Sequence, residues 1–295
     1  MRSGGSELRV SVLTLNIWAL PIPLPREDRR ARMERLPEAL RRADADIVML
    51  QEALHPRDRD KLIRALTGDG YETSATGTRR LGGLVRVDAT GGLVTLSRFP
   101  VVSSAFHPLP VPRGAKCSER LGRKGALRCV VRTPLGPLTC VNVHLYAGVR
   151  PADRAARLAQ LRALPLDGAP GELATLLAGD LNASPPDPEA GSDADAPEVA
   201  WLARQGFRDA AAEAAAPGSP GATYAVSDNP YAAMWADPAR GDLRLDFVMV
   251  RPASTMSATV REARVVLNDQ AALVSDHYGV QVEFALSTAS RRSNP

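Results

Sequence analysis

The stretch Val274-Ser275-Asp276-His277-Tyr278-Gly279-Val280 ends a series of polar fragments, and four earlier ones answer it. They are Leu15-Asn16-Ile17-Trp18, Leu50-Gln51-Glu52, Asn142-Val143-His144-Leu145 and Gly179-Asp180-Leu181-Asn182. Each follows an apolar, β-branched run: Val10 to Leu15, Ile47 to Leu50, Leu138 to Val143, Leu173 to Leu177. Carboxylates, amides and imidazoles are costly to bury unpaired, so their place at strand ends calls for a reason. Singly, each has a bland reading: Asp180 opens a loop, Asn16 ends a strand, His144 is a satisfied core histidine. Conjunction and order decide against it. Asn, Glu, His, Asp-x-Asn and Asp-His close successive predicted strands across almost the whole chain. Gathered at one edge of a sheet sandwich, they suit metal-assisted hydrolysis of a phosphoester.

The apolar pattern predicts strands over 8–17, 46–52, 71–77, 92–98, 101–108, 125–133, 138–145, 173–180, 245–250, 259–267 and 280–286. Helices are expected over 29–42, 57–66, 151–161 and 197–205. In the first helix Met33, Leu36 and Leu40 recur at helical spacing, and its arginines and glutamates are assigned to a solvated face. Hairpins such as Gly125 to Leu145 imply antiparallel pairing. Two packed, mostly antiparallel sheets flanked by helices follow, an α/β sandwich. No cut between Asn16 and His277 leaves a complete site in one half. Residues 8–286 are therefore read as a single domain, with 1–7 and 287–295 as disordered ends. Ser184 to Pro197 reads as a flexible excursion and Ala214 to Gly221 as a low-complexity stretch.

At 295 residues and 44% hydrophobic content the chain can bury a sizeable core, built from Leu, Val and Ala given only 4% aromatics. A formal charge of +4 and a pI near 9.2 tilt mildly toward anionic partners without choosing among phosphate, nucleic acid and membrane. Three cysteines, Cys117, Cys129 and Cys140, form no disulfide framework. A turn over Thr133 to Leu138 would set Cys129 and Cys140 diagonally on one sheet face as a reduced, buried pair. The opening Met1-Arg2-Ser3-Gly4-Gly5-Ser6 carries no apolar signal core, and no apolar run approaches the roughly 18 residues of a membrane span. The expectation is a cytoplasmic protein with at most peripheral membrane contact.

Two more fragments complete the series: Arg244-Leu245-Asp246-Phe247-Val248 and Gly92-Leu93-Val94-Thr95-Leu96-Ser97-Arg98-Phe99-Pro100-Val101. Together the fragments resemble the endonuclease/exonuclease/phosphatase superfamily, from about Leu8 to Leu286. The resemblance implies the four-layer α/β sandwich of the DNase I-like fold and phosphoester hydrolysis.

A hard cation such as Mg²⁺ takes oxygen ligands from one or two carboxylates, waters and the substrate phosphate. Glu52 is the leading ligand candidate, and its position after Val48-Met49-Leu50-Gln51 resembles the family's metal glutamate. Asn16 assists directly or through a water, and the resemblance implies Asp276 near the metal or the imidazole. Mn²⁺ and Ca²⁺ are alternatives to Mg²⁺. His277 contacts phosphate or orients the nucleophile, and a carboxylate must fix its tautomer. Motif position assigns that carboxylate to Asp246, with Asp276 as the fallback. Asp180 is expected as general base, Asn182 as donor to phosphate oxygens, and His144 as donor to a non-bridging oxygen. Lys124 opens a strand running to the same edge and is a substrate-binding candidate. His55 and His107 read as loop and structural residues, Asp209 and Asp242 as surface carboxylates.

Fold does not settle substrate. Asn16-Ile17-Trp18-Ala19-Leu20-Pro21 with Arg32-Met33, Arg123-Lys124-Gly125-Ala126-Leu127, Ala222-Thr223-Tyr224 with Asn229-Pro230-Tyr231, and Arg244-Leu245-Asp246-Phe247 are similar to the neutral sphingomyelinase branch. The apolar loop from Trp18 to Pro25 is expected as a lip for a membrane phospholipid, with Trp18 binding substrate. Packing against the first helix is the competing reading. Tyr231, Met234 and Trp235 are read either as a membrane contact or as core. The alternative substrate is nucleic acid, tracked by Arg113, Lys116, Arg120, Arg123, Lys124, Arg128 and Arg132. Such a run without interleaved aromatics reads more simply as a solvated loop and strand face. A non-enzymatic binding module is set aside because Glu52, His144, Asp180 and His277 are all present.

Overall fold

Alternation along the strands gives each sheet two apolar faces, and each face finds a different partner. The computed structural model describes residues 7–21, 28–73, 78–81, 85–88, 90–115, 119–120, 122–183, 196–214, 221–234 and 241–288. Along the chain come β1 (Leu8–Asn16), α1 (Arg29–Ala43), β2 (Ile47–Gln51), α2 (Pro56–Thr67), β3 (Glu72–Thr73), β4 (Thr78–Leu81) and β5 (Val85–Asp88). Next are β6 (Val94–Ser97), β7 (Val101–Pro108), β8 (Gly125–Thr133), β9 (Gly136–His144), α3 (Pro151–Arg162) and β10 (Ala174–Asp180). The last are α4 (Pro197–Arg204), β11 (Arg208–Asp209), α5 (Ala210–Glu213), α6 (Pro230–Ala233), β12 (Asp246–Pro252), β13 (Met256–Val266) and β14 (Gly279–Thr288).

The first sheet is ordered β13-β14-β1-β2-β6-β3 and the second β11-β12-β10-β9-β8-β7. Each holds one parallel pair, β1 with β2 and β9 with β10, among antiparallel neighbours. A parallel pair needs a crossover, and α1 and α3 supply the two crossovers. Between the sheets, Val10, Val12, Ile47, Met49, Leu138, Cys140, Leu176, Ala178, Val248 and Phe284 form one core. On the outer face of the first sheet, Leu13, Leu15, Val48 and Leu50 meet Leu36 and Leu40 of α1 and Leu62 and Leu66 of α2. On the outer face of the second, Val141, Val143, Leu177 and Met249 meet Leu161 of α3 and Leu202 of α4. Helices, sheet, sheet, helices make the four expected layers.

One polar bridge crosses the inter-sheet core just below its functional edge. Gln51 Nε2 donates to Asn142 Oδ1 at 2.8 Å, while Asn142 Nδ2 donates to the Leu50 and Val94 carbonyls at 3.0 Å each. Each buried partner is satisfied, so the bridge fixes how the sheets sit on one another instead of weakening the core.

Some expectations need correction. Cys129 stands directly opposite Cys140, not diagonally, because the hairpin turns on the two residues between Thr133 and Gly136. Both cysteines are buried, and neither is in a disulfide. Ser287 and Thr288, assigned to the disordered tail, continue β14 opposite Ser257 and Met256. Glu7, assigned to the disordered start, pairs with Arg261 at 3.0 Å. The β4–β5 hairpin forms a two-stranded sheet of its own that the strand pattern did not predict. Residues 1–6, 22–25 of the expected lip, 74–77, Lys116, Cys117, 184–195, 215–220, Trp235 and 289–295 lie outside the described residues. No described helix is long and apolar enough to cross a membrane.

Candidate active site

Alternate residues on a strand share a face, so each inward apolar series runs into a polar end. Val10 and Val12 lead through Thr14 to Asn16, and Leu138 and Cys140 through Asn142 to His144. Leu176 and Ala178 lead to Asp180, and Val250 and Val248 to Asp246. Register aligns these ends, because Asp180 pairs with both His144 and Asp246. Gly179, at φ +149°, permits the close approach of β10 to β9: a Cβ there would stand 1.9 Å from the Val143 carbonyl oxygen. Glu52 follows β2, and Asp276-His277 precede β14.

These ends open into a cavity of about 570 Å³, lined by Asn16, Glu52, Lys124, His144, Asp180, Asn182, Asp276 and His277. Trp18, Leu20, Leu54, Val149, Val226 and Leu243 supply its apolar wall. Of the six described non-glycine residues at positive φ, three line this cavity: Trp18, Glu52 and Asn182. Backbone of that kind costs about 1–3 kcal/mol per residue, and its concentration here sets the region apart from the rest of the fold.

His277 Nδ1 lies 2.8 Å from Asp246 Oδ2, and its Nε2 lies 4.0 Å from Asp180 Oδ2. Burial alone would lower the imidazole's proton affinity, but Asp246, Asp276 and Asp180 together raise it to about 10. Burial also raises the Asp246 carboxyl, so the pair keeps its shared proton through neutral pH. The Thr223 hydroxyl accepts the Asp246 N–H at 3.1 Å, and the Tyr224 ring lies 5.0 Å from the imidazole.

Asp180 behaves differently. Burial would raise its carboxyl, yet His144, His277 and Lys124 hold it well below the usual carboxylate range. Asn16 Nδ2 donates to its Oδ2 at 3.1 Å and the Asn182 N–H to its Oδ1 at 2.9 Å. His144 Nε2 contacts Lys124 Nζ and lies 3.3 Å from Asp180 Oδ2 and 3.8 Å from Glu52 Oε1. Lys124 also has Glu119 at 3.9 Å.

Asp180, Asp246 and His277 offer ligand atoms within 4.8 Å of one another. A protonated imidazole has no lone pair for a cation, so proton and hydrogen bonds hold that cluster. The donors that fit a hard cation stand beside it. Glu52 carries no hydrogen bond on its carboxylate among the described residues, its His144 approach being 3.8 Å. Asp276 Oδ1 lies 3.1 Å from the Ser275 hydroxyl oxygen. Burial, eased by His277 and reinforced by Glu52, raises the Asp276 carboxyl to about 6. A buried carboxylate whose charge a neighbouring carboxylate disfavours is what a divalent ion relieves. Asn16 is committed on both sides, since its Oδ1 accepts the Trp18 N–H at 3.0 Å. Of the two parts expected for it, this geometry favours the indirect one, through a water.

Residues 13–277 match the Endonuclease/Exonuclease/phosphatase family. The chain belongs to this family. Its members are divalent-metal-dependent phosphoester hydrolases. An endonuclease/exonuclease/phosphatase from Beutenbergia cavernae DSM 12333 is similar at TM-score 0.68 and 24% identity, over 94% of this chain and 72% of that one. D. rerio TDP2 complexed with single strand DNA product is similar at TM-score 0.67 and 18% identity, over 94% and 98%. Sphingomyelinase C from Streptomyces griseocarneus follows at TM-score 0.64 and 20% identity, over 94% and 99%. No curated protein matches the sequence. At these identities the likeness is one of fold.

Within the family's fold, every site candidate read from the sequence lines the cavity except Asp246, which is buried at hydrogen-bond distance from His277. Trp18 lines the cavity but follows the competing reading for its loop, packing against the first helix. It is 6% exposed, with the Arg32 guanidinium 4.6 Å from its ring centroid and Tyr231 at 6.1 Å. It is therefore a wall packed on α1, not a protruding lip. The basic run also disperses: Lys124 faces the cavity, whereas Arg128 donates to the Asp167 carbonyl at 3.0 Å. Arg132 lies eight residues beyond Lys124, about 26 Å away along the strand direction. Asp209 is no plain surface carboxylate, since it takes two nitrogens of Arg244 at 2.7 Å each. His55 caps α2 by accepting the Asp58 N–H at 3.3 Å, in keeping with a loop role.

The solvated face expected on α1 holds for Arg30, Glu34 and Glu38, which are exposed, but not for Arg32. Arg32 is fully buried and donates to the carbonyls of Ile17, Trp18 and Val274 at 3.1 Å each. Arg29 and Arg35 reach the Leu20 and Leu273 carbonyls at 2.6 and 2.9 Å. The signal was in the spacing, because Arg32 shares the apolar stripe of Leu36 and Leu40. Thr223, Tyr224 and Ser275 stood inside quoted fragments without a role, and Glu119 was missed.

Proposed function

We propose that the chain is a metal-dependent phosphodiesterase cleaving the headgroup ester of a phospholipid. The charge of the cavity wall carries this reading. Lys124 is the only lysine or arginine among its described lining residues, against Glu52, Glu119, Asp180 and Asp276. A nucleic-acid backbone presents a row of phosphates and is held by several cations. One lysine among four carboxylates suits a single phosphate, and the apolar wall suits a substrate with a hydrocarbon part.

In this reading the His277 imidazolium, oriented by Asp246, donates to a non-bridging oxygen, and Lys124 with His144 serves another. Asn182 commits one Nδ2 hydrogen to the Leu145 carbonyl at 3.1 Å, which leaves the second for phosphate. Asp180 orients the attacking water and receives its proton. Its low proton affinity makes that transfer uphill; Glu52 and Asp276 would hold a divalent cation, which would supply Lewis acidity toward the water and offset phosphoryl charge.

The test is a parallel assay with Mg²⁺, Mn²⁺ or Ca²⁺ against sphingomyelin vesicles, plasmid DNA and bis(p-nitrophenyl) phosphate. Phosphocholine release and soluble diester cleavage, both abolished by chelator, are expected. Salt-sensitive nicking of plasmid with nothing released from vesicles would replace the lipid reading with a nuclease.

A further inference from the structure

We infer that Arg32 is a positioning residue that ties the loops carrying Asn16, Glu52 and Asp276 into one metal-binding unit, which rests on the metal-dependent reading above. Burying a guanidinium is costly unless hydrogen bonds meet it, and here the main chain meets it. Three carbonyls accept from its two terminal nitrogens, Asp28 lies 3.4 Å from its Nε, and Trp18 lies beneath its plane.

Those carbonyls belong to separated segments. Ile17 and Trp18 directly follow Asn16, while Val274, 242 residues from Arg32, leads into Ser275-Asp276-His277. The Ser275 hydroxyl joins the two segments by donating to the Asn16 carbonyl at 2.6 Å. The Glu52 segment is tied at one remove. The Ile17 N–H donates to the Gln51 carbonyl and the Ala19 N–H to the Glu52 carbonyl, each at 3.0 Å. Trp18 and Glu52 are both held at positive φ, a conformation that persists only where surrounding contacts impose it. A planar, forked donor spans several carbonyls at fixed angles. A lysine, a point charge on a flexible stem, does not.

The experiment measures Mn²⁺ binding by calorimetry, without substrate, for wild type, Arg32→Lys, Arg32→Met, Arg157→Met and Glu52→Gln, each kept below its melting temperature. Arg157 is the control. It is equally buried and grips the Tyr146 and Gly148 carbonyls at 3.2 and 2.6 Å on the second sheet's side. Both Arg32 variants are expected to weaken the Mn²⁺ Kd by about tenfold or more, with a much smaller change in Arg157→Met. At limiting metal, kcat for a soluble diester should fall while KM holds. Arg32→Lys keeps the charge and carries the test if Arg32→Met does not fold. Wild-type affinity in Arg32→Lys, or an equal loss in Arg157→Met, overturns the positioning role alone. If wild type binds no Mn²⁺, or Glu52→Gln binds as tightly as wild type, the metal reading itself falls and takes this inference with it.

Discussion

The ends of the two sheets reach the same cavity but are ordered by different means. On the second sheet His144, Asp180 and Asp246 are strand residues, buried and aligned by register. On the first, Glu52 and Asp276 stand just beyond strand ends, one on left-handed backbone and the other a single residue past Ser275. Sheet geometry alone sets His144, Asp180 and Asp246 side by side. The oxygen-rich corner depends on a helix-borne guanidinium reaching three carbonyls. The lesson is that one site can draw its precision from two sources, and each should fail in its own way.

The largest break belongs to the second sheet and its neighbour His277. Asp180→Asn and His277→Ala should each lower kcat by about 10³-fold, with KM for a soluble diester little changed. Loss concentrated in KM would mean that these groups merely bind substrate. Asp246→Asn should follow at about 10²-fold, because His277 loses the charge that orients it. An unchanged rate there would transfer that part to Asp276.

A smaller effect sharpens the comparison through stability. Asn142→Leu removes the inter-sheet bridge and leaves Gln51 and the Leu50 and Val94 carbonyls short of partners. The cost should be about 3 kcal/mol, read as a Tm lower by about 6 °C or more. A variant as stable as wild type would show that the sheets hold their register without the bridge.

A further effect is in pH dependence. His277 has a raised folded value, so its stabilisation is full below the unfolded value near 6.5 and is lost as pH rises through about 10. Metal-free wild type should therefore lose more stability across that window than Asp246→Asn, measured by urea midpoints at its two ends. Parallel curves would contradict the buried ion pair.

Legibility in the sequence follows the same division. Period-two alternation was enough to see that Leu138, Cys140, Asn142 and His144 share a face, and register brought Asp180 between His144 and Asp246. Glu52 and Asp276 could be read from their fragments, but not what holds them. A helical stripe shows that Arg32 points inward with Leu36, yet nothing local reveals that Val274 arrives above it. The Cys129–Cys140 register was misplaced because it depends on the turn, and a two-residue loop differs from a longer one by the shift that moves a pair from diagonal to opposite. The elements missed are short: β11 has two residues, and β4, β5, α5 and α6 have four each, too few for any period to show.

Metal rescue separates the two ends most directly. Soluble diester hydrolysis is followed for wild type, Glu52→Gln and Asp180→Asn after chelator treatment, while Mn²⁺ is raised from limiting to saturating. Wild type should be silent without metal, and Glu52→Gln should climb toward the wild-type rate as Mn²⁺ rises. Asp180→Asn should remain about 10³-fold down at every concentration. Activity in chelator, or an Asp180→Asn curve that climbs as Glu52→Gln does, would contradict a cation corner on the first sheet served by a separate charge cluster on the second.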